Sequence, residues 1–440
     1  MEYKDTKLVK KLAELIRDKS VLILGFGREG KADLMAVKAA GTYKSLAIAD
    51  KREVAESELS GTVASLICGD DYQKSLDDYD IVLKSPGVVL EKDFSEYKCT
   101  ITSETELFLD VYGEQTIGIT GTKGKSTTTT LIYHILTENR KKAVLLGNIG
   151  IPAFERLTEI EDDTIIVFEL SCHQLEHCNR SPHFAVYLNL YPEHLDHYGT
   201  FEKYKAAKEN IYKHQGYDDF LYCGELVAPE VGECKSGVTE IFYDDLIDIS
   251  GHEDEYPLKG RHNLFNMTVA ETVCRDLGIS EEDCLADMKT YKPLPHRLEY
   301  CGTFGGIRFY DDSISTIPEA CIEALKTVKD VDTVLIGGMD RGIDYTGLID
   351  FLAGFDIPHI ILMEATGERI YKEMKEKVPA IVDSGRVMLV EHLAEAVAEG
   401  KKLTRADHAL IMSPAAASYG IFKNFEERGD AFKKLIQENI

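Results

Sequence analysis

The sequence lacks the long apolar runs that membrane insertion and export require. No stretch of about eighteen apolar residues occurs anywhere in the chain. The first twenty residues, MEYKDTKLVKKLAELIRDKS, are charged and helix-like and contain no apolar core of signal-peptide length. We therefore expect neither a membrane-spanning segment nor export, and we predict a cytoplasmic protein.

The sequence also lacks closely spaced cysteine pairs, and its acidic residues outnumber its basic residues. The ten cysteines include no C-x-x-C pair, which favours reduced thiols over a disulfide framework. Cys172 and Cys178 flank a histidine, but a tetrahedral zinc site needs four well-placed ligands, so zinc is not expected there. The formal net charge of −26 argues against binding to nucleic acids or anionic membranes, because such a surface repels phosphate polymers.

What the sequence does contain is typical of a large α/β enzyme. With 440 residues and 44% hydrophobic content, the chain exceeds what one core usually supports. Apolar strands alternate with amphipathic helical stretches, which predicts parallel sheets. The clearest predicted strands are Val21–Leu24, Leu46–Ala49, Ile81–Leu83, Ile117–Thr120, Ile165–Phe168, Phe184–Leu188, Thr333–Ile336, Ile360–Met363 and Ala409–Met412. We predict three α/β domains, at residues 1–112, 113–296 and 297–440.

The segment IGITGTKGKSTT, from Ile117 to Thr128, has the order of a nucleotide-phosphate loop: an apolar strand, a glycine-rich turn and the start of a helix. Its glycines let backbone N–H groups converge on phosphate oxygens, Lys125 supplies a cation, and Ser126 can ligate Mg²⁺. The spelling is not a strict Walker A motif, because position 119 is isoleucine where that motif has glycine. The residues predicted to bind ATP here are Gly121, Thr122, Lys123, Gly124, Lys125, Ser126 and Thr127.

A second glycine-rich turn, VLILGFGREG, lies near the N-terminus. Gly25, Gly27 and Gly30 follow the G-x-G-x-x-G order, and Asp50 comes twenty residues after Gly30. This spacing resembles a dinucleotide fingerprint. Taken alone, it leaves open both a nicotinamide-dependent dehydrogenase and a domain that binds another diphosphate.

Polar residues follow two of the central strands, at the edge of the sheet where ligands collect. Glu169 closes the strand IIVFEL, and His194 lies in YPEHLDH after the next strand. A carboxylate after four apolar residues is awkward to bury unpaired, so we predict that Glu169 binds Mg²⁺.

Lys208 falls on the apolar stripe of a predicted helix from Phe201 to Tyr212. Partial burial favours the neutral amine, which can react with carbon dioxide to form a carbamate that binds Mg²⁺. The residue pattern alone favours the other interpretation, a lysine whose ammonium reaches solvent along an apolar stem.

Together these motifs resemble those of the Mur ligase family, over essentially the whole chain. The matching segments are the N-terminal glycine turn, GITGTKGKST, GNIG at 147–150, ELSCHQLE, PEHLD, YKAAKENIY, GRHN at 260–263, PHRLE at 295–299, Asp312-Ser313, Ser413-Pro414-Ala415 and FKNFEERG. The ending and the first turn are most similar to the members that add glutamate to UDP-N-acetylmuramoyl-L-alanine.

The resemblance implies a Rossmann-like first domain that binds the UDP substrate, a central P-loop ATPase domain with a mostly parallel sheet, and a Rossmann-like third domain that binds the amino acid. It implies UDP contacts for Gly27, Arg28, Asp50, Lys51 and Gly87, and muramoyl contacts for Asn148 and His194. It implies nucleotide contacts for Asn266, Arg297 and Asp312. The implied catalytic residues are Lys125, Glu169, His194 and Lys208, and the implied ligands of two Mg²⁺ ions are Ser126, Glu169, His194 and Lys208 as a carbamate.

The implied amino-acid site departs from the family pattern at one position. Where such ligases read Asp-Ser-Lys-Ala-Thr-Asn, this chain reads Asp312-Ser-Ile-Ser-Thr-Ile317, which replaces the lysine by Ile314. Arg341 matches another lysine of that site and can grip a carboxylate bidentately. Thr316, Ser418 and Phe425 match the remaining positions.

The activity implied by the resemblance is an ATP-dependent amide ligase that proceeds through an acyl phosphate, with UDP-N-acetylmuramoyl-L-alanine and glutamate as substrates. We expect a monomer that uses D-glutamate. L-glutamate or another amino acid, a folylpolyglutamate synthase-like ligase and, more distantly, a dehydrogenase are the alternatives.

Overall fold

The computed structural model describes residues 2–147 and 151–438. It confirms an α/β fold, and the described residues form one largely parallel sheet in each of the three predicted blocks. The chain divides into two compact units: the first runs up to Ser250 and includes Phe265–Tyr291, and the second comprises Gly251–Leu264 and the chain from Lys292 onward. The first unit contains two of the sheets. The domain boundaries given above stay a prediction.

The first sheet has the strand order β3-β2-β1-β4-β5, with all pairs parallel. Its strands are β1 (Ser20–Leu24), β2 (Ser45–Asp50), β3 (Ser65–Cys68), β4 (Ile81–Lys84) and β5 (Thr100–Thr102). The helices of this part are α1 (Lys7–Leu15), α2 (Arg28–Ala40) and α3 (Glu104–Tyr112).

The glycine turn after β1 allows α2 to pack directly on the strand. A Cβ at Gly30 would lie 2.1 Å from the carbonyl oxygen of Gly25, so no larger residue fits at this helix position. Because β1 lies between β2 and β4, the strand order reverses beside β1, and a crevice opens at the carboxyl ends of β1 and β4.

The second sheet has the order β11-β10-β9-β6-β8-β7 and is also parallel. Its strands are β6 (Thr116–Thr120), β7 (Ala143–Gly147), β8 (Ile165–Glu169), β9 (Phe184–Tyr187), β10 (Phe220–Gly224) and β11 (Gly237–Ile241). The associated helices are α4 (Lys125–Glu138), α5 (Cys172–Leu175), α6 (Leu195–Tyr198), α7 (Phe201–Glu209), α8 (Arg261–Asp276) and α9 (Glu281–Thr290). The phosphate-loop strand β6 lies between β8 and β9, so polar residues that follow these three strands share one edge.

The third sheet has the order β12-β13-β17-β14-β15-β16, in which β12 alone runs antiparallel to its neighbour. Its strands are β12 (Glu299–Phe304), β13 (Ile307–Asp311), β14 (Val331–Gly337), β15 (His359–Met363), β16 (Val387–Val390) and β17 (Ala409–Met412). The helices are α10 (Pro318–Thr327), α11 (Thr346–Gly354), α12 (Glu364–Lys377), α13 (Pro379–Asp383), α14 (Leu393–Leu403) and α15 (Phe425–Gln437). Two apolar core clusters form around its central strands.

The predicted strands are found, with ends that differ by a residue or two. The predicted helix from Phe201 is too long, because α7 ends at Glu209 instead of Tyr212, and Asn210 follows it as the C-cap. None of the helices in the described part of the chain has both the length and the apolar character needed to cross a lipid bilayer.

Candidate active site

The turn between β6 and α4 has the shape of a phosphate-binding loop. Gly124 has a φ of 85°, in the left-handed region. A Cβ there would lie 2.5 Å from Oδ1 of Asn266, so glycine is what allows the Asn266 side chain to pack against the loop. The helix α4 begins directly afterwards at Lys125, and a helix N-terminus favours a bound anion. Two separate parts of the predicted ATP site are therefore brought together.

Asn189, which no sequence motif marks, holds this loop in place. Its Oδ1 accepts a hydrogen bond from the backbone N–H of Lys123 at 2.9 Å, and its Nδ2 donates to the Lys123 carbonyl at 3.0 Å. The hydroxyl of Thr122 lies 3.0 Å from the hydroxyl of Tyr204 on α7. The only signal in the sequence is that Asn189 follows a buried strand at the edge where the loop lies.

The side chain of Lys125 folds back onto the phosphate loop that precedes it. Its Nζ donates to the carbonyls of Gly121 and Thr122, at 3.0 and 3.1 Å. Burial lowers the pKa of Lys125, although the carboxylates of Glu169 and Glu193 act to raise it. The pairing of β6 with β8 places Glu169 opposite Ile119, so Lys125 and Glu169 lie at the same edge of the sheet.

Lys208 is fully enclosed, with 1% of its surface exposed. Its Nζ donates to the Gly121 carbonyl at 2.8 Å, so the lysine does not extend to solvent. Burial, followed by the positive charge of Lys125, lowers the pKa of Lys208 from 10.5 to about 7. A large fraction of this amine is therefore neutral and nucleophilic near neutral pH.

The Gly121 carbonyl thus accepts from two lysines at once. Two ammonium groups on one buried oxygen repel each other, which favours the loss of one charge. Conversion of Lys208 to a carbamate would replace a cation by an anion beside Lys125 and change this repulsion into attraction. The geometry therefore fits the modification that the family resemblance implies.

The residues before α6 add a charged pair. Nζ of Lys123 lies 3.2 Å from Oε1 of Glu193. Burial acts to raise the pKa of Glu193, but Lys123, His194 and Lys125 lower it to about 2. His194 is the N-cap of α6 and has a left-handed φ of 57°. Glu193 is therefore a permanent anion that neutralises cations of the loop.

The predicted magnesium ligands have the right chemistry for that ion. Magnesium prefers oxygen ligands, and Ser126, Glu169 and a carbamate on Lys208 would supply them, with His194 as a nitrogen ligand. Ser126 is 8% exposed and Glu169 is 1% exposed. A cation would neutralise the buried carboxylate of Glu169.

The residues predicted to bind UDP lie at the carboxyl ends of β1, β2 and β4. Gly27, Arg28, Lys51 and Gly87 are exposed around this crevice. Asp50 differs, because its carboxylate accepts hydrogen bonds from the backbone N–H groups of Phe26 at 2.5 Å and Arg52 at 2.8 Å. The Asp50 carboxylate thus stabilises the glycine turn through backbone hydrogen bonds. Asn148, which was also predicted to approach the muramoyl group, lies outside the described residues.

In the third sheet, Asp312 follows β13 and is enclosed. Its oxygens accept hydrogen bonds from the Ser413 hydroxyl at 2.7 Å and from the backbone N–H of Leu298 at 3.1 Å. Burial raises the pKa of Asp312 to about 7, and Arg297 is among the groups that act to lower it. The predicted nucleotide residues Arg297 and Asp312 are therefore neighbours.

The residues predicted to bind the amino acid lie on loops at this same edge. The backbone N–H of Met339 donates to the Ala417 carbonyl at 2.8 Å, which places the loops of Arg341 and Ser418 side by side. Phe425 begins α15, and its carbonyl accepts from the Ser313 hydroxyl at 2.7 Å. Thr316 is half-buried and Arg341 is exposed.

Arg428 joins these loops, although the sequence motifs give it no separate role. It is fully buried, and its Nη2 donates to the carbonyls of Ser313 at 2.8 Å and Ala416 at 3.0 Å. Burial lowers the pKa of Arg428 to about 10, while Glu364 acts in the opposite direction. One guanidinium thus ties together the segments on which Asp312, Ser418 and Phe425 lie.

Comparisons with known proteins agree with this arrangement. Residues 119–224 match the Mur ligase middle domain. The chain is 32% identical to a UDP-N-acetylmuramoylalanine–D-glutamate ligase of Clostridium kluyveri, over 87% of this chain and 88% of the relative. It is also 32% identical to a UDP-N-acetylmuramoyl-L-alanine–L-glutamate ligase of Micromonospora, over 96% and 97% of the two chains. The fold is similar to that of the MurF ligase of Thermotoga maritima in complex with ADP, with a TM-score of 0.59, 16% identity and 97% coverage of both chains.

Proposed function

Since the chain belongs to the Mur ligase family, whose members are ATP-dependent amide ligases, we propose that it joins glutamate to the alanyl carboxylate of UDP-N-acetylmuramoyl-L-alanine. The product is a precursor of peptidoglycan. D-glutamate is the proposed amino acid, in accordance with the Clostridium relative. L-glutamate is the second candidate, because a relative named for that enantiomer has the same identity to this chain.

The reaction needs activation because a carboxylate is a poor electrophile. ATP transfers its terminal phosphoryl group to the alanyl carboxylate, which gives an acyl phosphate and ADP. The glutamate amine then attacks the acyl carbon, loses a proton and expels inorganic phosphate, so that an amide bond remains.

Three groups of residues would divide this work. The crevice at β1, β2 and β4 would bind the uridine diphosphate through Gly27, Arg28, Lys51 and Gly87, with Asp50 shaping the turn. The phosphate loop, with Lys125 and the first N–H groups of α4, would bind the ATP phosphates and stabilise the charge that develops during transfer. Arg297, Asp312 and Asn266 would hold the rest of the nucleotide.

Divalent magnesium, held by Ser126, Glu169, His194 and carbamylated Lys208, would neutralise the phosphate charge and orient the transferred group. The amino acid would occupy the loops of Thr316, Arg341, Ser418 and Phe425. Since Ile314 provides no cation, Arg341 is the proposed partner of the glutamate side-chain carboxylate.

The observation that carries the proposal is the convergence of Lys125 and Lys208 on the Gly121 carbonyl, with Glu169 at the same sheet edge. This arrangement supports a buried site for phosphate and a metal ion. Hydride transfer by a dehydrogenase requires no such site.

Mass spectrometry of a single set of reactions tests the proposal. The purified chain is incubated with ATP, Mg²⁺ and either UDP-N-acetylmuramoyl-L-alanine or a folate, together with D-glutamate or L-glutamate. We expect a product whose mass equals the two substrates minus water, and ADP in equal amount, with the D-enantiomer preferred. Product formed faster from L-glutamate would reverse the stereochemical assignment, and an amide formed only with a folate acceptor would replace the proposed acid substrate.

A further inference from the structure

Three side chains with ligand atoms suited to soft metals lie together beside the phosphate loop. They are Cys172 and His173, the first two residues of α5, and His194, which precedes α6. One ligand atom of each lies within 4.8 Å of those of the other two. The cluster is assembled by tertiary structure, because about twenty residues of chain separate His194 from the other two.

The distances within the cluster suit a small tetrahedral ion. Sγ of Cys172 lies 3.5 Å from Nδ1 of His173. The rings of His173 and His194 have centroids 4.8 Å apart and cross at 80°. Bonds of about 2.3 Å to sulfur and 2.0–2.1 Å to nitrogen place tetrahedral ligands roughly 3.3–3.8 Å apart. The Cys172–His173 pair already has this spacing, and the ligand atom of His194 lies within 4.8 Å of both.

The chemistry of the set differs from that of the proposed magnesium site. Magnesium is a hard ion that takes oxygen ligands, whereas one thiolate and two imidazoles match zinc and cobalt. Cys172 is buried, with 2% exposure, so its sulfur is shielded from solvent.

We propose that Cys172, His173 and His194 form a binding site for a zinc-class divalent ion, with a fourth position open to water. This goes beyond the proposed ligase activity, which needs neither Cys172 nor His173. Because His194 also belongs to the proposed magnesium ligands, an ion held by this cluster removes a ligand from the phosphoryl-transfer site. Zinc is therefore expected to inhibit the enzyme.

The chain offers a matched control in Cys178, which lies six residues further along. Its thiol is equally buried, at 1% exposure, but it donates to the Arg180 carbonyl at 3.3 Å and does not belong to the cluster. A Cys178→Ser variant thus makes the same chemical change without removing a ligand.

Cobalt titration of the full chain, without nucleotide or substrate, tests the site directly. We expect one equivalent of Co²⁺ to produce the near-ultraviolet charge-transfer absorption of a cobalt–thiolate bond in the native chain and in Cys178→Ser. Cys172→Ser should lose this absorption. His173→Phe should raise the Kd for Co²⁺ at least about tenfold. Far-ultraviolet circular dichroism establishes that each variant is folded. No absorption in the native chain, or an unchanged spectrum in Cys172→Ser, would overturn the proposal.

A second measurement addresses the consequence for activity. With Mg²⁺ in excess, equimolar Zn²⁺ should suppress ADP release by the native chain and by Cys178→Ser, and Cys172→Ser should resist it. Equal inhibition of all three would show that zinc acts elsewhere. The cobalt spectrum does not depend on turnover, so failure of the ligase proposal and failure of the metal proposal are distinguishable.

Discussion

At the scale of single residues, two lysines that bind the same carbonyl oxygen have different chemistry. Both Lys125 and Lys208 donate to Gly121, but Lys125 has Glu169 and Glu193 as the leading groups that support its charge. For Lys208, the largest effects are burial and the neighbouring Lys125, and both favour the neutral amine. One lysine is therefore suited to hold phosphate as a cation, and the other is suited to react as an amine.

The first prediction concerns the Lys208 amine. Lys208→Ala should lower the rate of ADP release at least about a hundredfold, because a charged group of the transfer site is lost. Millimolar acetate or formate should restore part of the activity by replacing the carbamate oxygens. Lys205→Ala, on the same helix but exposed, serves as the control and should behave like the native chain. Full activity of Lys208→Ala without any added carboxylate would refute the carbamate role.

At the scale of elements, the site is a set of turns that follow neighbouring parallel strands. The phosphate loop follows β6, Glu169 ends β8, and Asn189 comes shortly after β9. The parallel order places these three ends at one edge, and side-chain hydrogen bonds then fix the turns against each other. Asn189 holds the phosphate loop, and Arg428 holds the loops of the third sheet, by side-chain hydrogen bonds to the backbone.

The second prediction follows from this support of the loop. Asn189→Ala leaves the backbone N–H and carbonyl of Lys123 without their side-chain partner, which costs about 1–3 kcal/mol. The loop should then be less ordered, and the KM for ATP should rise about tenfold or more, with a smaller change in KM for the UDP substrate. Steady-state kinetics with each substrate varied in turn measures the difference. Asn179→Ala, whose side chain bonds near the surface, should leave both constants unchanged, and equal effects on both substrates in Asn189→Ala would contradict the assignment.

At the scale of the whole molecule, the first and second sheets are joined through buried acids. Glu104 of α3 accepts hydrogen bonds from the backbone N–H groups of Ala153 and Phe154, at 2.6 and 3.3 Å. Asp33 of α2 is 1% exposed, and neither of its carboxylate oxygens has a hydrogen-bond partner among the described residues. Burial raises the pKa of Asp33 well above 3.8 and that of Glu29 to about 7. Such acids remain protonated in the folded chain when they are ionised in the unfolded chain.

The third prediction is a loss of stability as pH rises. Between the ordinary range of carboxyl pKa values and about 7, these acids hold protons in the folded chain that they lose in the unfolded chain, so their contribution to the free energy of unfolding falls with increasing pH. Asp33→Asn removes one of these groups and should stabilise the protein by about 1–3 kcal/mol above pH 7, with little effect in mild acid. Thermal unfolding of the native chain and of Asp33→Asn, above pH 7 and in mild acid, measures the difference in stability.

Asp80 provides a control for that prediction, because its pKa is shifted in the opposite direction from that of Asp33. Asp80 accepts hydrogen bonds from the Ser20 hydroxyl and backbone N–H, which lower its pKa. Asp80→Asn should therefore reduce stability slightly at neutral pH and have less effect in acid. If Asp33→Asn behaved in the same way, the burial of a neutral acid would be refuted.

The sequence by itself determined the elements and most of the chemistry. Strand residues such as Ile117, Ile119 and Thr120 are β-branched, and the glycines and lysine that follow them have fixed spacing, so local pattern was enough to predict the phosphate loop and the α/β class. The family resemblance added the order of the sites along the chain. Glu169 was predicted as a site residue because its position at a strand end is itself a local property.

The tertiary structure decided which residues meet. Asn189, Arg428 and the pair of Cys172 with His194 have no local signature, because their roles depend on partners that lie far away in the sequence. The burial that lowers the pKa of Lys208 likewise comes from the packing of α7 against the loop, which a helix pattern does not quantify. Desolvation and contact depend on the whole surroundings of a side chain, and these surroundings exist only once the chain is folded.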